Sequence, residues 1–197
     1  MPSAAYVEWS GRRQTRIAEL LGAHATIGGS GRGRRWRTSQ LNWALTLRIA
    51  GEFQGYARDL HSLAVAHFVE SVAQGNAALG NVLQAQFTAN RASDHRNATL
   101  SSLAADFGRL GLEFWPTLRV ASAGASTWQA RLEALNKARN AIAHANEGDL
   151  DRLARDGYPM RLGTIRRWHG SLDRLASTMD DVVADYLDRL LRTGRPW

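Results

Sequence analysis

The chain has 197 residues and a formal net charge of +7, with 44% hydrophobic and 22% charged residues. This length supports one domain with its own core, or one domain plus an appendage, and the composition is that of a globular protein. Cysteine is absent, which excludes disulfides and thiolate metal sites; no apolar run is long enough to cross a bilayer, and residues 1–22 lack the apolar centre of a secretion signal, so a cytoplasmic location is expected. Of the 25 Lys and Arg residues only Lys137 is lysine. Guanidinium grips phosphate as a rigid fork and stacks on bases, so the charge balance points to a nucleic-acid partner, with an acidic protein as the alternative.

Residues 1–38 are expected to form a separate N-terminal part, with one short helix over about 13–21 and then a basic loop over 28–37. Four glycines in that loop oppose helix and strand alike. Arg32, Arg34, Arg35 and Arg37 surround Trp36, a set able to hold an RNA backbone while the indole stacks on a base. A solvated loop anchored by one Trp is the other reading.

Residues 39–197 are expected to form the main domain. Leu45, Ile49, Phe53, Tyr56, Leu60 and Leu63 recur at steps of three and four, which predicts one long helix over 39–74 with Ser39 as its N-cap. Arg48, Glu52, Gly55 and Asp59 share a polar face of it, readable as a solvated salt-bridging face. Weaker helical signals follow around 79–87, then a helix over about 99–110. Residues 111–126 read as a connection, because Pro116 disfavours helix at Trp115. A helix from 126 or 127 carries Trp128, Leu132, Leu135, Ala138 and Ile142, and a short one spans about 149–155. Thr164 is expected to cap the last helix, whose stripe is Ile165, Trp168, Leu172, Leu175, Met179, Val182, Tyr186 and Leu190. No strand run or repeat is found, so the fold class is all-α, an antiparallel bundle of four to five main helices.

Most enzyme signatures are missing: no Walker loop, no dinucleotide fingerprint and no His-Glu-x-x-His pair. None of the six histidines pairs with another at the spacing of a helical metal site, and His61 and His67 read as core residues. No cofactor and no metal are expected.

One segment carries chemistry: Leu135-Asn136-Lys137-Ala138-Arg139-Asn140-Ala141-Ile142-Ala143-His144-Ala145-Asn146. Arg139 can hold a phosphate with its fork, and His144 can move a proton near neutral pH. Asn140, four residues before His144, is placed to hydrogen-bond the imidazole. On an ideal helix Arg139 and His144 point about 140° apart, so they meet only at a helix end or across a shared cleft. A basic helix terminus satisfied by the dipole, with Arg139 paired to Glu133 or another carboxylate, is the bland alternative.

The segment resembles the Arg-x4-6-His motif of the HEPN superfamily, with Asn directly after Arg. The long earlier helix, with its acidic and aromatic residues, is similar to the first helices of bacterial HEPN proteins. This resemblance implies a metal-independent endoribonuclease that cleaves by attack of the RNA 2′-hydroxyl, leaving a 2′,3′-cyclic phosphate. Arg139 would hold the phosphate, His144 would be acid or base, and Glu52 and Asp59 would orient the site. It also implies a homodimer whose two motifs face one cleft, acting as a toxin or antiphage effector restrained by an antitoxin or sensor protein. A non-catalytic helical module that binds RNA or protein is the second implication.

Overall fold

The computed structural model describes residues 1–28 and 35–197. Over these residues the chain is all-α, with helices and turns and no strand. Helix α1 (Ala4–Glu8) runs through one π turn (Trp9–Arg13) into α2 (Gln14–Gly28). Ser3 starts it, its Oγ accepting from the Tyr6 amide at 3.0 Å. The same serine donates to Asp180 through both its amide and its hydroxyl, which ties the N-terminus to the last helix. Helix extends beyond the expected 13–21 because Ala5, Trp9 and Ile17 continue the four-residue spacing into the core.

Helix α3 (Arg35–Ala73) is the longest element. It begins four residues before the expected cap, so Ser39 lies inside it and Arg35, Trp36 and Arg37 belong to a helix, not a loop. Arg32 and Arg34 lie outside the described residues. The expected stripe is buried from Leu45 through Ile49, Phe53 and Tyr56 to Leu60, while Leu63 is half-buried. Helices α4 (Ala77–Thr88), α5 (Ala92–His95) and α6 (Leu100–Gly108) follow. Thr99 caps α6 in a reciprocal box with Ser102.

The expected connection over 111–126 contains helix α7 (Phe114–Ala121). Pro116 sits in its first turn, where a helix leaves amides unpaired anyway, so the ring costs no hydrogen bond. Burial of Phe114, Trp115 and Leu118 secures it. Helix α8 (Ala125–Ala143) and helix α9 (Glu147–Arg155) come next. Helix α10 (Leu162–Leu191) starts before Thr164, which is therefore a buried first-turn residue and not the cap. Its stripe is buried from Ile165 to Val182 and opens to solvent at Leu190.

The N-terminal helices run antiparallel to α10: Trp9 Nε1 donates to Asp173 at 3.1 Å, and His169 meets Gln14 at 2.6 Å. They are antiparallel to α3 as well, with Arg13 at Glu52 and His24 at Asn42. Helices α3 and α10 therefore run the same way, as the bonds from Asn42 to Met160 O and from Tyr56 to Ala176 O show. Residues 4–28, set apart in the sequence reading, bury Ala5, Trp9 and Ile17 in the same apolar cluster as α3, α8 and α10. Among the described residues no helix is long and apolar enough to cross a membrane.

Candidate functional site

Helix α8 buries Trp128, Leu132, Leu135 and Ala138 on one face, the helical stripe read from sequence. Its outward face carries Glu133, Lys137 and Asn140, with Arg139 half-buried beside them. Asn136 faces inward and donates to Ala98 O at 2.9 Å, fixing the helix against the turn before α6.

The helix stops at His144. This residue leaves helical geometry at φ −103° and ψ 9°, while its amide still reaches Asn140 O. Ala145 then takes the left-handed conformation at φ 51°. The Asn146 amide donates back to Ala141 O at 2.8 Å and the Ala145 amide to Ile142 O at 3.2 Å. This is a Schellman ending with alanine where glycine is usual, at a cost of about 1 kcal/mol. Asn146 closes the turn by capping α9 through the Asp149 amide. His144 is thus held at a helix end, in solvent, and no hydrogen bond reaches its ring among the described residues.

Asn140 does not serve the imidazole. Its Oδ1 accepts from Asn97 Nδ2 at 2.7 Å and from Arg139 Nη1 at 3.3 Å. The expected hydrogen bond to His144 is absent because this oxygen is occupied toward the α5–α6 turn. Arg139 has no other partner, and no carboxylate lies within ion-pair distance among the described residues. The alternative pairing with Glu133 is not made either, since Glu133 takes Lys137 at 2.9 Å. Two clefts flank this end of α8. One, of about 330 Å³, is lined with Asp149, Arg152 and Asp156 from the α9 side. The other, of about 370 Å³, is lined with Thr99, Leu100 and Ser101 from the α6 side. Lys137 and Asn140 form the ridge common to both.

Glu52 and Asp59 are not brought to this site. They lie on the seam of α3 with the π turn and α2, where Arg13 of the π turn donates to Glu52 at 2.8 Å and to Asp59 at 2.6 Å. Arg16 and Arg48 approach the same buried Glu52 at 3.3 and 3.4 Å. The polar face of α3 is therefore a partly buried network closed by N-terminal arginines, a pairing the sequence could not reveal because its members are separated by a turn of chain.

His61 is a satisfied core histidine. Its Nε2–H donates to Asp106 O at 3.0 Å, while Arg91 Nη1 faces Nδ1 at 3.4 Å. Burial, and then the Arg91 charge, lower its pKa to about 4, against the raising effect of Asp106. An unfolded His61 takes its proton near 6.5, so between those values the unfolded chain binds more protons. Its contribution to stability is complete above pH 6.5 and is lost as pH falls through 4. Urea unfolding at pH 7 and pH 4.5 should show a loss on the order of 2–3 kcal/mol that His61→Gln removes. Equal pH slopes for parent and variant would refute this. Among the described residues no three His, Cys, Asp or Glu side chains gather so as to hold a metal ion. Compared with known proteins, the chain matches no family model, no curated protein and no solved structure.

Proposed function

We propose that this chain is a metal-independent endoribonuclease of HEPN type, working through Arg139 and His144. The observation that carries the reading is the state of those two side chains. Arg139 lies on α8 just before its last turn and His144 caps that helix; neither has a carboxylate partner among the described residues, and His144 is exposed with its ring unpartnered. An exposed imidazole is open to a substrate as a proton donor or acceptor, and a guanidinium whose one bond goes to a neutral amide oxygen keeps its charge and its other donors for phosphate.

The chemistry uses the substrate's own nucleophile. The 2′-oxygen attacks the adjacent phosphorus as its proton passes to a base, and the 5′-oxygen leaves as an acid protonates it. The products are a 2′,3′-cyclic phosphate and a 5′-hydroxyl. Arg139 stabilises the charge that builds on the phosphoryl oxygens. One His144 can serve as base or as acid in a single step, and a second copy of the chain would supply the other, which is why the reading includes a homodimer.

The test is incubation of the purified chain with total RNA in EDTA, followed by end-group analysis. Cleavage with cyclic-phosphate ends is expected. Intact RNA at stoichiometric protein sinks the catalytic reading and leaves a non-catalytic RNA- or protein-binding module.

A further inference from the structure

We propose that the α8–α9 side of the molecule is a track for single-stranded RNA, running from the Arg139–His144 end to a phosphate-holding pocket built by Arg131 and Arg167. The inference rests on the reading of the chain as acting on RNA. Its starting point is a cleft of about 520 Å³ where the first turn of α8 meets the α9–α10 turn. Arg131 and Arg167 both line it. Arg131 Nη1 donates to Ser171 Oγ at 2.8 Å, and Arg167 Nη2 to Thr164 Oγ1 at 3.1 Å.

These partners are neutral. In this Arg131 and Arg167 resemble Arg109 and Arg139, which also bond neutral oxygens, and differ from Arg13, Arg16, Arg48, Arg91, Arg152 and Arg195, each matched to a carboxylate. Arg131 and Arg167 are aimed by hydroxyls, keep their full charge, and retain donors on the remaining guanidinium nitrogens. The pocket holds more than these charges. Ser126 and Thr127 of the α8 first turn line it; no side chain caps that helix start, and while the Ala125 amide bonds Ser122 O, the amides of Ser126 and Thr127 add donors of the same sign. Tyr158 supplies an aromatic wall and is steadied by Trp168, ring centroids 6.3 Å apart and planes at 26°.

The pocket shares a wall residue with the cleft beside the candidate site. Asp156 lines both this pocket and the 330 Å³ cleft, which is also lined by Asn140, the acceptor of Arg139. Arg131 and Arg139 lie eight residues apart on α8, roughly 12 Å along its axis. At roughly 3.4 Å per stacked nucleotide, about four nucleotides bridge them. Clefts of this size admit single nucleotides in a row but not a paired duplex. Asp149 and Asp156 interrupt the positive line; Asp149 is neutralised by Arg152, whereas Asp156 carries no ion pair among the described residues, so it marks a place where the strand presents a base or sugar and its charge opposes binding.

The full chain is titrated by fluorescence anisotropy against a labelled 2′-O-methyl single strand, which lacks the nucleophile and stays intact. The double variant Arg131→Gln/Arg167→Gln should bind about tenfold more weakly, with a salt slope shallower by about 1.4 for two lost phosphate contacts. Asp156→Asn, at an exposed position, should bind about threefold more tightly, a gain that misfolding cannot produce. Circular dichroism melts confirm that the double variant is folded. Parental affinity and slope in the double variant overturn the track, as does equal affinity for a duplex of the same sequence. If the parent cuts RNA in EDTA while the double variant binds normally, the track falls and the ribonuclease reading stands. If the double variant loses binding and the parent cuts nothing, the track stands on a non-catalytic RNA-binding protein.

Discussion

On the proposed ribonuclease reading, His144→Ala is expected to lose RNA cleavage by roughly 10²–10⁴-fold, the range for removal of a positioned acid or base, while stability changes by less than about 0.5 kcal/mol. The second half of the expectation follows from the packing. The ring is in solvent and no hydrogen bond reaches it among the described residues, so alanine removes no buried contact. The helix ending survives because its closing bonds, from Asn146 to Ala141 and from Ala145 to Ile142, are backbone to backbone. Arg139→Lys gives a sharper reading of the other group. Lysine keeps the charge but not the two-pronged geometry, so it should recover only part of what Arg139→Ala loses. Single-turnover cleavage in EDTA, with melts recorded on the same samples, separates chemistry from folding. A His144→Ala protein that cuts at the parental rate removes this residue from the mechanism. One whose activity falls only in step with its folded fraction makes the residue structural.

The periodic stripes of α3, α8 and α10 were legible because a helix with one buried face must repeat its apolar residues at three and four, whatever it packs against. The same logic located Arg139 and His144 near a helix end: Ala-Asn-Glu-Gly after the histidine signals a stop, and Ala145 and Asn146 do form it. Local rules failed where tertiary burial outweighed them. Phe114, Trp115 and Leu118 hold α7 together in spite of Pro116, and Trp9 carries helix back to Ala4. The partners of polar groups were beyond reach for a different reason. Asn140 is four residues from His144, yet its oxygen goes to Asn97. Glu52 and Asp59 share a face of α3, yet both are claimed by Arg13. A hydrogen bond across 39 or 43 positions leaves no spacing pattern for sequence reasoning to detect. The clefts beside α8 are hidden likewise, since Arg131 and Arg167 become neighbours only when α8 and α10 pack.

The α2–α3 seam supplies the second large effect, and it decides what Glu52 is for. Arg13→Ala should cost about 3 kcal/mol, at the low end for breaking a buried pair. The carboxylate of Glu52 is 5% exposed and would keep only the longer contacts to Arg16 and Arg48, whereas Asp59, 44% exposed, can return to water. Arg13 Nε is itself buried without a partner, which lowers the net worth of the pair. Replacing both members, Arg13→Met with Glu52→Gln, should therefore recover much of the loss. Gly55 makes the geometry testable. A Cβ there would stand 2.5 Å from Arg13 Nη1, so Gly55→Ala must displace the guanidinium. In the parent it should destabilise; in the Arg13→Ala background, with that space free, it should stabilise by about 0.5–1 kcal/mol as alanine does in a helix interior. Urea midpoints of the four proteins settle the sign, and an equal cost of Gly55→Ala in both backgrounds would show that Arg13 does not occupy this space. The functional corollary is that Glu52→Gln, which weakens the seam, leaves the cleavage rate per folded molecule unchanged. A specific loss of that rate would instead return Glu52 to the Arg139–His144 site, through a partner copy rather than its own chain.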